Sequence, residues 1–292
     1  MPALVLVSPG ALAGKTTLAA ALAQRIKTQG RSVALLRLAG GDNAEADSGF
    51  FGRLGGTQEP SNADIVLMEA PAGDASAPLA AVGDARALVI ADGSHPVEEI
   101  AQYCQTLGSA FAGLIINRAP QRRISALSAS LEAAGVKPLA LLPEDRILAA
   151  PTLGEVALAL EAQTSFFDSN GSRTLDRTLV ASISADPGQG YFASTQANTV
   201  IVRSDKPDLQ LAAINAGAGC LIVTGGLPLL GYVLERAEED EIPILRTQLD
   251  TIQTVQSIEA LYGATPFSGG ESRLRRLEEL LSEIDISTLT AA

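Results

Sequence analysis

The chain has no tryptophan, four tyrosines, one histidine and two cysteines in 292 residues. Aromatic residues make up 4% of it, too few for the stacking platforms that hold single-stranded nucleic acids. Basic residues are scarce as well. Lys and Arg number 21 against 33 Asp and Glu, a formal net charge of −12, and the nearest things to a basic cluster are Arg122-Arg123 and the arginines between 273 and 276. Nucleic acid is therefore not an expected partner, and the acidic excess serves solubility. Cys104 and Cys220 lie in unrelated segments with apolar neighbours, form neither a disulfide framework nor a zinc spacing, and are expected to be free buried thiols. His95, directly before Pro96, suits a helix start better than a metal ligand or a catalytic base. No stretch reaches the ~18 uninterrupted apolar residues of a membrane span, and the N-terminus lacks the charged start and apolar region of a signal peptide. A cytoplasmic protein with no membrane partner is expected.

What is present is a globular composition, 47% hydrophobic and 18% charged, in a length that suits two domains at about 150 residues each. The most informative stretch is Val5-Leu-Val-Ser-Pro-Gly-Ala-Leu-Ala-Gly-Lys-Thr-Thr17. It leaves a short apolar run and opens an Ala- and Leu-rich segment, the strand, glycine loop and helix of a phosphate-binding P-loop. Backbone N–H groups around Gly10, Ala13 and Gly14 and at the helix start (Lys15, Thr16, Thr17) converge on one spot, and the helix dipole adds positive charge there. Lys15 would reach the β- and γ-phosphates and carry any phosphoryl chemistry, and the Thr16 hydroxyl would hold Mg²⁺. The pattern departs from G-x-x-x-x-G-K-[ST] at its first position, where Pro9 removes one N–H and Gly10 follows. ATP with Mg²⁺ is the expected cofactor pair.

Apolar strands are expected at residues 3–7, 32–38, 63–70, 85–91, 111–117 and 137–142, with helices at 15–29, 96–107 and 121–134 between them. Residues 40–56 are polar and glycine-rich and read as a mobile loop. This alternation predicts an α/β domain with a mainly parallel sheet, P-loop NTPase-like, over residues 1–162 and closed by a helix at 152–162. A linker at 163–176 and a smaller α/β domain at 177–267 follow. Its strands are expected at 179–184, 199–203, 220–224 and 243–246, its helices at 208–216, 229–239 and 251–261. Residues 268–292 form a tail whose helix lines up Leu274, Leu277, Leu280, Leu281 and Ile284. Such a stripe must be covered by the second domain or by a second subunit, and a homodimer is expected.

Other residues carry candidate chemistry by position. Glu69 ends a strand at the edge where ligands bind and suits Mg²⁺, directly or through water. Asp42 in the glycine-rich loop is a second Mg²⁺ candidate. Arg37 either contacts phosphate or solvates a strand end. Asn117 either pairs with adenine through its amide or shapes a turn. Residues 224–228, Thr-Gly-Gly-Leu-Pro, form either an anion nest or a tight connection.

Taken together, Gly14-Lys-Thr-Thr17, the strand ending in Glu69, Gly113-Leu-Ile-Ile-Asn-Arg118 and Leu142-Pro-Glu-Asp145 resemble the dethiobiotin synthetase and cobyrinic acid a,c-diamide synthase group. Ser204-Asp-Lys-Pro-Asp-Leu-Gln-Leu-Ala-Ala213, Leu221-Ile-Val-Thr-Gly-Gly226, Ile242-Pro-Ile-Leu245 and Leu249-Asp-Thr251 resemble the DRTGG domain, with Ser204 and Lys206 replacing the signature's glycine and arginine. In that order the two are similar to the N-terminal region of long bacterial phosphate acetyltransferases. The resemblance implies a nucleotide-binding regulatory or sensor module that responds to a small-molecule effector and does not make acetyl phosphate by itself. Its other implication is an ATP-dependent ligase that activates a carboxylate substrate.

Overall fold

The computed structural model describes residues 2–41, 44–54, 60–166, 171–182, 192, 198–264, 271–282, 284 and 289. The chain divides into two compact units, Met1–Asp145 with Pro266–Ala292, and Arg146–Thr265. In the first, β1 (Ala3–Val7), β2 (Val33–Arg37), β3 (Ile65–Glu69), β4 (Arg86–Asp92), β5 (Phe111–Ala119) and β6 (Ala140–Pro143) form one parallel sheet in the order β2-β3-β1-β4-β5-β6. Near-continuous apolar runs produce this arrangement, because helices cover both faces and each strand must be buried on both. Val5 and Val7 pack with Ala87, Val89, Leu114 and Ile116 on one face, under α4 (Val97–Thr106) and α5 (Ile124–Ala133). Helix α1 (Lys15–Thr28) lies against β2 and β3 and buries Leu18, Leu22 and Ile26, the expected i, i+4, i+8 face. Strand register brings Leu6, Arg37 and Glu69 to one level at the carboxyl edge, and pairs Asp92 with Asn117.

Two short helices between the strands of this sheet were not expected. Residues 44–53 form α2 (Ala44–Arg53) inside the supposed mobile loop. Phe50 and Phe51 are buried there and fix the segment against β2, which outweighs the helix cost of Gly49. Helix α3 (Ser76–Val82) follows β3, its start shaped by the Asp74 carboxylate, which accepts from the Ser76 N–H at 2.9 Å and its hydroxyl at 2.6 Å.

The second unit begins earlier than composition suggested. After α6 (Arg146–Ala149), α7 (Leu153–Ala159) opens with a Thr152–Glu155 capping box. Its Leu153 and Val156, with Leu160, pack against Ile201, Ile222 and Leu245, so the helix expected to close the first domain belongs to the second. The expected linker contributes β7 (Gln163–Ser165), antiparallel to β11 (Ile244–Arg246). The sheet order is β7-β11-β10-β9-β8, in which β8 (Thr178–Val180), β9 (Thr199–Arg203), β10 (Leu221–Thr224) and β11 are parallel. Helices α8 (Pro207–Asn215), α9 (Gly231–Glu239) and α10 (Thr251–Glu259) follow β9, β10 and β11.

The tail helix α11 (Glu271–Leu280) packs on α1. Leu277, Leu281 and Ile284 are buried, Arg25 Nη2 donates to Ser282 O at 2.6 Å, and Arg276 Nε donates to Asp145 at 2.6 Å. Leu277, Leu281 and Ile284 are thus buried within the first unit itself, and their burial needs no homodimer. A chain ending at Phe267 is expected to melt about 10 °C lower, since each buried leucine or isoleucine stabilises by roughly 1.5–3 kcal/mol. Differential scanning calorimetry of both lengths checks this, and an unchanged melt would make the α1 contact dispensable.

Candidate functional site

The loop after β1 turns through Leu12 at φ 57 and Gly14 at φ 88, and α1 starts at Lys15 with Gly14 as its N-cap. A β-carbon on Gly14 would stand 2.2 Å from Asn117 Nδ2, so the position requires glycine on two counts. Gly10 is not so constrained, and a β-carbon there would meet only the His95 ring, at 3.7 Å. Its carbonyl accepts from Ser8 Oγ at 2.7 Å, and Ser8 Oγ accepts from Lys15 Nζ at 2.6 Å. Lys15 is 7% exposed, and burial pulls its pKa down, against the opposing field of Glu69. Thr17 follows, half-buried in the first turn, and Ala13 is buried.

Thr16 and Glu69 meet. Thr16 Oγ1 donates to Glu69 Oε1 at 3.1 Å. The carboxyl is 4% exposed, and burial pushes its pKa up to about 7; the Arg37 charge opposes that rise and the Asp47 charge adds to it. Its second oxygen, Oε2, is buried with no hydrogen-bond partner among the described residues. A buried carboxylate oxygen left in this state is costly unless something else binds it.

The Arg37 side chain turns inward and does not solvate the strand end. It is buried, with Nη1 donating to Leu38 O at 2.9 Å and Glu69 O at 3.2 Å, and Nη2 to Gly40 O at 3.1 Å. Its Nε lies 3.5 Å from Asp47 and 3.9 Å from Glu69. Asp47, on α2, is the site acid that the sequence did not disclose; Asp42 lies outside the described residues. Asn117 Nδ2 donates to the Ala13 carbonyl at 3.0 Å, so one amide donor is committed to the loop. In the second unit the proposed nest is closed off, because Gly225 N donates to Leu249 O and Gly226 N to Thr247 O, at 2.9 and 3.0 Å. Cys104 and Cys220 are free and buried, their thiols pushed up to about 12 by burial.

The stretch Gly10–Thr17 joins β1 to α1 as a strand–loop–helix unit. The CobQ/CobB/MinD/ParA nucleotide binding domain matches residues 4–155. The chain belongs to that family. The DRTGG domain matches residues 155–261, within the second unit. In this CobQ/CobB/MinD/ParA-type chain the P-loop is thus part of a nucleotide-binding domain. Among solved structures, one similar chain comprises the CBS and DRTGG domains of the regulatory region of Clostridium perfringens pyrophosphatase, complexed with the activator diadenosine tetraphosphate. It is 20% identical at a TM-score of 0.36, and the match covers 43% of this chain and 53% of that one. A second, the luciferase-like enzyme of the mealworm Zophobas morio, is 8% identical at a TM-score of 0.18, covering 77% and 62%. The chain thus spans about half of the first structure's length, and resemblance at these scores adds nothing to the description of the site.

Oxygen donors suit Mg²⁺. Thr16, Glu69 with its orphaned Oε2, and Asp47 beyond it are a donor set that fits the ion. Among the described residues no three His, Cys, Asp or Glu side chains converge as a self-sufficient metal site. An ion here would need phosphate oxygens and water to complete its shell, as Mg²⁺ bound with a nucleotide does. Beside this edge a cavity of about 520 Å³ opens between α3 and α4, lined by Pro9, Asp74, Ser76, Gln102, Tyr103 and Leu107 among others.

Proposed function

We propose that the protein binds ATP with Mg²⁺ at the P-loop and acts as a regulatory or sensor module, related to the N-terminal region of phosphate acetyltransferases. The observation that carries this reading is the pairing of Thr16 with a buried Glu69 whose Oε2 has no partner, beside a lysine buried at the start of α1. Mg²⁺ would be held by Thr16 and Glu69, with Asp47 in support, and Lys15 would neutralise phosphate charge. The nucleotide state would bias the second unit or a partner toward a small-molecule effector. Two free, buried cysteines suit a cytoplasmic setting. A homodimer keeps only the family resemblance as its support.

A second reading, an ATP-dependent ligase that activates a carboxylate, is favoured by the cavity beside Pro9, which would lodge a substrate next to the phosphates. Release of ADP accelerated by candidate carboxylates would favour the ligase, and indifference to them the sensor.

Isothermal titration of the full chain with Mg·ATP tests the shared core of both readings. Lys15→Ala is expected to weaken binding by at least about tenfold, the value of one charge-assisted contact to phosphate. Equal affinity in the two proteins would remove the P-loop from the binding site.

A further inference from the structure

Two neighbouring side chains at the end of β5 grip the phosphate loop. Asn117 Nδ2 donates to Ala13 O at 3.0 Å, and Arg118 Nη2 donates to Leu12 O at 2.6 Å. A trans peptide is planar, and its C=O and N–H point in opposite directions. Fixing the Leu12 carbonyl therefore fixes the N–H of Ala13, and fixing the Ala13 carbonyl fixes the N–H of Gly14. Both N–H groups are thereby turned away from β5. They belong to the stretch whose amides a P-loop presents to phosphate. With Pro9 contributing no N–H, the direction of the remaining donors carries more weight.

Arg118 is itself held in place. Its Nε donates to Asp92 Oδ2 at 2.6 Å, and Asp92 Oδ1 accepts from the Ser94 N–H at 2.9 Å and from the Ser94 hydroxyl. The sheet register places Asp92 opposite Asn117. Arg118 sits at φ 54, as Leu12 does at φ 57. Left-handed backbone at non-glycine residues is strained, persists only where its surroundings over-determine it, and concentrates at ligand sites. Here the strain lies on both sides of a single hydrogen bond, donor residue and acceptor residue alike.

We propose that Arg118, oriented by Asp92, is a positioning residue of the nucleotide site: it pins the Leu12 carbonyl and so aims the Ala13 N–H at the phosphates. The inference rests on the Mg·ATP reading above, and extends it to a pair of residues that need not touch the nucleotide.

The full chain is titrated with Mg·ATP, melted without nucleotide, and followed by hydrogen exchange at the amides of Ala13 and Gly14. Arg118→Ala is expected to weaken Mg·ATP about tenfold, the usual effect of misdirecting one preorganised donor. Exchange at the two amides should quicken. The melting temperature should stay within about 2 °C, because the Arg118 side chain is 38% exposed and such ion pairs contribute little stability. Arg118→Lys should recover part of the affinity by reaching Leu12 O. Asp92→Asn should cost less than Arg118→Ala, and the double variant should bind no worse than Arg118→Ala alone, because Asp92 acts through Arg118. Wild-type affinity in Arg118→Ala would overturn the inference and leave the nucleotide reading standing. So would losses that simply add in the double variant, or a loss matched by a large fall in melting temperature in both single variants. A wild-type chain that binds no Mg·ATP would overturn the nucleotide reading and this inference together.

Discussion

Gly14→Ala is expected to lower Mg·ATP affinity by about 100-fold, while Gly10→Ala changes it less than about threefold. The two glycines stand four residues apart in one loop, yet their surroundings differ. Gly14 sits at φ 88, where a side chain costs roughly 1–2 kcal/mol. Its added methyl would also arrive 2.2 Å from Asn117 Nδ2. Asn117 would have to swing out, breaking its 3.0 Å bond to the Ala13 carbonyl and freeing the peptide that carries the Gly14 N–H. Strain, the lost bond and the misdirected amide together account for the 2–3 kcal/mol that about 100-fold represents. At Gly10 the same methyl meets only the His95 ring at ordinary contact distance, and the residue has no positive φ to preserve. Titration of the three proteins with Mg·ATP decides. Equal losses at both positions would mean that any added bulk blocks the loop, and that the left-handed turn has no special part in it.

The site was legible in part, and the part that failed has a physical pattern. Lys15, Thr16 and Glu69 could be placed because each sits at a strand end or helix start, and register in a parallel sheet carries strand ends to one edge. Asp47 could not, because it depends on a helix. Residues 44–53 look like loop by composition, and only the burial of Phe50 and Phe51 makes α2 and brings Asp47 to Arg37. Arg37 read equally as a phosphate contact or a strand-end solvation group, whereas its guanidinium turns inward, donating to three backbone carbonyls and lying near two acids. For α7 and α11 the apolar periodicity was readable but the partner was not. Leu153 and Val156 cover the second sheet, and Leu277 and Leu281 are buried where α11 returns to α1. A stripe records that a face is buried; which surface buries it depends on contacts far along the chain.

Glu69→Gln is expected to act in opposite directions on stability and on binding. In the metal-free protein burial pushes the Glu69 carboxyl up from the ordinary 4.5 to about 7. A folded-state pKa above the unfolded one means that the native protein holds the extra proton. The stability conferred by the neutral carboxyl is therefore full below about pH 4.5 and is lost as pH rises through about 7. The loss is on the order of 3 kcal/mol between these limits. Glutamine keeps the shape and cannot ionise, so the variant should lack this slope. At pH 8 without metal it should melt several degrees above the wild type, and at pH 5 the two should nearly coincide. Binding should run the other way. With the charge gone from Oε1 and Oε2, the gain in ATP affinity that Mg²⁺ brings should fall by at least about tenfold, while metal-free ATP binds as before or better. This inversion, a stabler protein that binds its ligand worse, is the mark of a residue kept for function at a cost to the fold. Melting curves from pH 5 to 8 and Mg²⁺ titrations of ATP binding in both proteins measure it. A variant less stable at every pH, or one with an unchanged Mg²⁺ response, would make Glu69 a structural acid that serves Arg37 and Thr16 alone.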